Sequence, residues 1–166
     1  MRLLPVLALP LTALAACVPA PRAPAPVAPP PPVTAPPAAP APLAADWRDW
    51  PLTSGTWRYR PTPTGSIASF GTSADAPVAS LRCELAQRRI AIVIPATSAT
   101  AITIRTSTAL RSLSMQGGQS VLAATDPLLD AMGFSRGRFV IEQAGAAPLV
   151  LPAWAEIERV TEDCRG

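Results

Sequence analysis

Histidine and lysine are both absent from the chain, and each absence removes a class of chemistry. Without them there is no Ser-His or Cys-His nucleophile pair, no Ser-Lys dyad, no Schiff base and no imidazole metal ligand. Glycine-rich phosphate loops and dinucleotide fingerprints are missing too. What stays open is two-carboxylate chemistry, a lone thiol, or no catalysis, and neither a cofactor nor a metal is expected. All 14 basic residues are Arg. Together with the excess of Ala and Pro, this reads as the codon bias of a GC-rich genome rather than as selection for nucleic acid. The formal net charge is only +3 and the arginines are scattered, which gives no footprint for a phosphate backbone. Long apolar runs are scarce. Leu3 to Ala16 falls short of the about 20 residues needed to span a bilayer and carries Pro5 and Pro10.

That short run nevertheless defines the start of the chain. Arg2 supplies one positive charge, Leu3–Ala16 an apolar core, and Ala15-Ala16 the small residues before a cleavage point, which together make a secretory signal peptide. The four residues Leu14-Ala15-Ala16-Cys17 resemble the bacterial lipobox, an aliphatic residue and two small ones before the cysteine that becomes lipidated. All four positions match. The resemblance implies cleavage between Ala16 and Cys17, a diacylglyceryl group on the Cys17 thiol and, as a rule, an acylated amino terminus. One acyl chain binds a membrane reversibly, whereas two or more anchor stably at about 0.8 kcal/mol per buried CH₂. Val18 stands where an Asp often retains lipoproteins at the inner membrane of enteric bacteria. The expected location is the cell envelope, lipid-anchored and periplasm-facing, at the outer membrane in preference to the inner.

Three regions follow from this: a signal peptide over 1–16, a lipidated cysteine and Pro/Ala-rich linker over 17–45, and a folded domain over 46–166. Val18 to Leu43 is almost entirely Pro, Ala and Val, with Arg22 the only charge. Proline fixes φ and removes a donor, so this stretch is expected to sample polyproline II. At about 3.1 Å per residue it spans up to roughly 80 Å. Pro21-Arg22-Ala23-Pro24 fits a PxxP spacing, but without flanking specificity the plain spacer is the better reading. The remaining domain, about 120 residues, is enough to bury roughly two thirds of its unfolded surface.

Within that domain, short alternating or apolar runs between turn residues predict strands. Thr56–Arg60 puts Trp57 and Tyr59 on one face and Arg58 and Arg60 on the other. Ser66–Gly71 and Val78–Leu85 follow, the latter with Ala79, Leu81, Cys83 and Leu85 on one side. Ile90–Ile94 is continuously apolar, as expected of a strand covered on both faces. Ala101–Ser107 alternates again, and Leu110–Met115 is expected to turn through Gly117-Gly118, a hairpin signal, toward Ser120–Ala123. Asp126-Pro127 supplies an N-cap and a first-turn proline, and Gly133 a stop, for a short helix over 127–132. Strands over Arg136–Gln143 and Leu149–Leu151 precede a last helix opened by Pro152. Its stripe is Trp154, Ile157, Val160, Thr161 and Cys164.

The expected fold is therefore mostly β: an antiparallel sheet or sandwich with one short helix and a C-terminal helix packed on it. If Cys17 takes lipid, Cys83 and Cys164 are the only pair left in an oxidising compartment. Each falls on the apolar face of its own element, as a buried bridge between the last helix and the sheet requires. The alternative is two buried free thiols.

Candidate binding residues are few. Trp47, Trp50, Trp57 and Tyr59 lie beside Arg48, Arg58 and Arg60, and aromatic rings with neighbouring guanidiniums can stack on sugars and pair with carboxylates, both of which peptidoglycan offers. Trp47, Trp50, Arg58 and Arg60 are the candidates. The plainer reading puts Trp57 and Tyr59 in the core and Trp47 and Trp50 as caps on the sheet's end. Among carboxylates, Asp126 reads as a cap and Glu156, Glu158, Glu162 and Asp163 as a solvated helix face. A glycosidase needs two carboxyls facing across about 5 to 9 Å. Arg136-Gly137-Arg138 reads as a strand start before it reads as an anion site.

The stretch from Asp126 to Phe139, followed by Pro148 to Cys164, resembles the end of uncharacterised Gram-negative envelope lipoproteins and, more distantly, the invasion-associated locus B family. In that family a short helix precedes a "small-Gly-basic-aromatic" strand, then an apolar strand and a terminal helix. The similarity covers about the last 40 residues and lacks that family's additional cysteines. It implies a secreted, disulfide-bearing β-rich domain with no established enzymatic residues. The expected function is a non-enzymatic binding or structural module of the envelope. Its partners are expected to be the membrane through Cys17 and either peptidoglycan or another envelope protein.

Overall fold

The alternation seen in the sequence builds two antiparallel sheets. The computed structural model describes residues 43–166; the signal run, Cys17 and all but the end of the Pro/Ala-rich linker lie outside the described residues. In chain order the elements are β1 (Thr56–Thr62), β2 (Gly65–Gly71), β3 (Ala79–Glu84), β4 (Arg89–Val93), β5 (Ala101–Arg105), β6 (Leu110–Ser114) and β7 (Gln119–Ala123). After them come α1 (Pro127–Gly133), β8 (Arg138–Gln143), β9 (Leu149–Pro152) and α2 (Ala155–Arg165). One sheet has five strands in the order β1-β2-β3-β4-β7, the other four in the order β6-β5-β8-β9. Helix α2 lies chiefly across β2 and β3, and α1 packs on α2.

Register carries the apolar face through each sheet. In the five-stranded sheet Trp57 faces Phe70, Ala68 faces Leu81, Leu81 faces Ile92, and Ile90 stands between Cys83 and Leu122. A one-residue slip in any pair would turn that face outward. The four-stranded sheet contributes Ile102, Ile104, Leu113, Phe139, Ile141 and Leu151 to the same buried cluster, and α2 adds Ile157, Val160 and Cys164. The sequence places Cys83 and Cys164 on inward faces, and they form a disulfide with Cα atoms 5.4 Å apart.

A second, smaller layer sits on the far side of the four-stranded sheet. Val140 and Val150 are fully buried yet lie outside the central cluster, facing each other across β8 and β9. The chain at 50–53 runs over them. The Arg138 guanidinium donates to the Trp50 carbonyl, and Thr53 N–H donates to Val150 O at 2.9 Å.

Three local expectations change in the folded chain. Trp154 is not part of the buried stripe of α2: it is the N-cap residue, with extended backbone, and is 45% exposed. The stripe begins at Ile157, because side chains follow the helical period only once the helix has started. Leu85 is likewise not on the inner face of β3. The strand ends at Glu84, and a 3₁₀ turn over Leu85–Gln87 rotates Leu85 outward. Finally, β6 and β7 do not form a paired hairpin. Gly117 and Gly118 make the turn, both with positive φ (57° and 75°), as a two-residue type I′ connection requires. Gln116 and Gln119 exchange both backbone hydrogen bonds, and beyond that one bridge the strands part. β6 stays with β5, and β7 joins β4 in the other sheet. The reason is burial: Ile90, Ala91 and Ile92 are all fully buried, so β4 needs a neighbour on both edges and β7 supplies the second.

Candidate functional site

The aromatic and arginine residues near the start of the domain divide between the two sheets. Trp57 is core: its ring meets Phe70 edge-on at 5.3 Å, and its indole N–H donates to Pro152 O at 2.8 Å. Tyr59 packs against the core edge, with its hydroxyl on Asp163 Oδ2 at 2.7 Å and the Arg159 guanidinium 3.9 Å over its ring. Strand alternation then fixes Arg58 and Arg60 on the opposite, outer face of the five-stranded sheet. There Arg58 donates to the carbonyls of Gly71 and Thr72. Trp50 belongs to the other sheet's cover, and Trp47 lies three residues before it in a 3₁₀ turn. Arg48 sits 4.7 Å over the Trp47 ring, and the Trp50 indole donates to Ala44 O at 2.7 Å. Trp50 lines a shallow hollow of about 220 Å³ with Leu43, Glu142, Gln143, Ala146 and Pro148. Arg58 and Arg60 line a different one with Tyr59, Ser69 and Ala74. The four candidates therefore make two places rather than one.

The carboxylates are largely engaged in holding elements together. Asp126 caps α1, accepting from Leu128 N–H at 2.9 Å. It also takes both arms of the Arg111 guanidinium at 2.9 and 2.7 Å. Burial pushes its carboxyl up, but the Arg111 hydrogen bonds, the Leu128 N–H and the Arg111 charge together outweigh burial and hold it below the ordinary range. Asp130 pairs with Arg165 at 2.7 Å, and Arg165 also donates to Ala124 O, pinning α2 to α1. Glu158 is the exception. Its Oε1 is buried without a hydrogen-bond partner and lies against Gly133, where a side chain would collide with it. Burial, reinforced by the Asp130 charge and opposed by Arg165, moves this carboxyl above its ordinary range. Arg138 uses its guanidinium on Trp50 O, which removes one arm of the Arg136-Gly137-Arg138 pair. Among the described residues no three His, Cys, Asp or Glu side chains converge as metal ligands.

A hollow of about 610 Å³ at the ends of the β1–β2 and β3–β4 connections is lined by Pro63, Thr64, Glu84, Leu85, Ala86 and Gln87. Its one carboxylate, Glu84, is tied to Arg82 at 3.1 Å. More distinctive is the cleft of about 450 Å³ between β6 and β7, lined by Ser112, Leu113, Ser114, Gln116, Gln119, Ser120, Val121 and Leu122. The Gly117-Gly118 turn closes one end. The Arg111–Asp126 pair, which joins β6 to the chain just after β7, spans the other. At the floor the core shows through. Leu113, Ser120 and Leu122 are each 8% exposed, where Ile90, Ile104 and Phe139 are at 0%.

Comparison with known proteins finds no family, no curated relative and no solved structure that matches the chain. The cleft was not among the residues singled out by the sequence. Its one trace there is that the 14 residues from Ser112 to Thr125 carry no charge, a pattern shared with ordinary core strands.

Proposed function

We propose that this protein is a lipid-anchored component of the bacterial envelope whose domain over 46–166 binds or braces another envelope component and carries out no chemistry of its own. The observation that carries the reading is Leu14-Ala15-Ala16-Cys17 at the close of a short apolar run. The Cys83–Cys164 bridge supports it, since such bonds persist in oxidising compartments and this one sets aside two of the three cysteines. Val18 after the lipidated position favours the outer membrane. A non-catalytic role is supported by the carboxylates: Asp126, Asp130 and Glu142 each pair with an arginine that fixes an element in place. Cys17→Ser tests the reading. The wild-type chain is expected in the membrane fraction with a mass raised by lipid, and the variant in the soluble fraction or as unprocessed precursor. Identical fractionation and processing of the two would overturn it.

A second reading, a peptidoglycan-binding module, is favoured by Trp47 and Trp50, both only half-buried, with Trp50 lining the Glu142 hollow. It has to proceed without Arg58 and Arg60. Sedimentation of the mature chain with purified sacculi at moderate and high salt tests it. Binding that survives salt and is lost with Trp47→Ala or Trp50→Ala supports the module; binding lost with salt, or none, rejects it.

A further inference from the structure

The register of β6 and β7 determines which main-chain groups face the cleft between them. Thr106 N–H donates to Ala109 O and Met115 N–H to Thr100 O. Hydrogen-bonded pairs alternate along an antiparallel ladder. Arg111 and Leu113 therefore spend their main-chain groups on β5, while Leu110, Ser112 and Ser114 direct theirs away from it. On the facing wall Ile94 N–H donates to Gly118 O and Ala124 N–H to Arg88 O. That places Ser120 and Leu122 in the ladder to β4 and turns Val121 toward the cleft. Among the described residues none of the N–H or C=O groups of Ser112, Ser114 and Val121 has a main-chain partner outside its own strand.

Sheet edges are normally blunted by charge, proline, bulges or a covering segment. These two carry none of those devices within the cleft: no charged residue and no proline lines it. The arginines beside it are engaged: Arg111 is held on Asp126, and Arg82 on Glu84 and the Gln119 side-chain oxygen. The gap is also not a packing accident, because a tight turn fixes one end and a two-armed ion pair the other.

We propose that this cleft is a strand-capture site. It accepts three or four residues of an extended, uncharged segment of a partner protein, whose main chain pairs with the free edge of β6 at Ser112 and Ser114 while Val121 faces it from β7. This is β-augmentation; it deepens the reading of the domain as a binding module and rests on it. Charge selects the occupant. With eight neutral lining residues, the cleft offers no cation to an anionic headgroup or a peptidoglycan carboxylate, and it has no ring on which a sugar would stack. A second copy of the domain would show as self-association of the unliganded chain instead of one-to-one binding of a peptide, and would overturn the proposal. The chain's own linker has prolines at 12 of the 26 positions from Val18 to Leu43 and never more than three residues between successive prolines, so it offers no proline-free run of four residues to a ladder.

The test is selection of random peptides displayed on phage against the full mature chain carrying Cys17→Ser, followed by amide hydrogen exchange with a synthetic copy of the enriched peptide. The enriched segments are expected to be uncharged over at least four residues, free of proline there, and bound one to one. At saturation the Ser112, Ser114 and Val121 amides should slow at least tenfold. Ser112→Pro, which an edge strand tolerates when the lost N–H points outward, should weaken binding at least tenfold. Ser112→Ala, which keeps the N–H, should leave it within twofold. No enrichment, charged or proline-rich winners, protection elsewhere, or equal binding by Ser112→Pro would each overturn the proposal. If Ser112→Pro does not fold, the exchange pattern of the unsubstituted chain decides. Failure here with Cys17-dependent anchoring intact overturns the cleft alone; loss of anchoring with capture intact overturns the envelope reading alone.

Discussion

The two sheets meet along two flanks, and the flanks are finished differently. Along β9 every outward main-chain group at Val150 and Pro152 has an answer. Val150 N–H donates to Thr53 Oγ1 and its carbonyl accepts from Thr53 N–H, Pro152 has no N–H to satisfy, and its carbonyl accepts from the Trp57 indole. Two residues that precede or begin β1 thereby stitch the five-stranded sheet to the four-stranded one. Along β6 and β7 the same fold leaves the corresponding groups of Ser112, Ser114 and Val121 facing a polar cleft. The contrast teaches where the domain puts its stability and where it keeps hydrogen-bonding capacity in reserve. Closure alone removes a sheet edge, and this domain closes on one side only.

Substitutions should break that contrast unequally. Trp57→Ala removes a 4%-exposed ring together with the stitch to Pro152, and should cost about 3–5 kcal/mol in urea unfolding. Trp57→Phe, which keeps most of the ring but loses the N–H, should cost less than half of that. Next comes the bridge that holds α2 on the five-stranded sheet. Cys83→Ala with Cys164→Ala opens a loop of 81 residues, and on the chain-entropy account the loss is on the order of 4 kcal/mol, with native packing strain setting how much is realised.

At the mouth of the open flank, Asp126→Ala removes a helix cap and one partner of a two-armed pair, for a loss of about 2 kcal/mol. Because the folded state holds the Asp126 carboxyl below its unfolded value, this contribution is complete above the ordinary carboxyl range. It fades as pH falls through the lowered value. Urea midpoints for wild type and Asp126→Ala should therefore converge as pH falls below the ordinary carboxyl range. Glu158 acts with the opposite sign. Its folded carboxyl titrates above the ordinary range, so its ionisation costs stability as pH rises through that window. Glu158→Gln should raise the midpoint at neutral pH and lose its advantage in acid. Within the cleft, Ser112→Ala and Val121→Thr touch no buried apolar contact of consequence and should fall within about 0.5 kcal/mol of wild type.

Much of this fold was legible in the chain, and the reasons are local. Alternation marked the strands and told which face of β1 carried Trp57, while Asp126-Pro127 and Gly133 marked α1. The inward positions of Cys83 and Cys164 anticipated the bond between them. Pairing between distant strands was not legible. Gly117-Gly118 gives the same signal for a hairpin as for a corner where the chain changes sheets, and the deciding fact, the need of β4 for a second neighbour, lies more than twenty residues upstream. For the same reason nearness in sequence suggested one site for Trp47, Trp50, Arg58 and Arg60, although the chain between them crosses from the cover of one sheet into the strand of the other.

Native-state amide exchange of the unliganded mature chain, resolved residue by residue over Leu110–Ser114 and Gln119–Ala123, tests the open flank most directly. The expected pattern is alternating: Ser112, Ser114 and Val121 exchange nearly as fast as an unfolded chain, while Arg111, Leu113 and Leu122 are protected by orders of magnitude. Uniform protection along both strands would mean that β6 and β7 are already paired, and the distinction between the two flanks would fall.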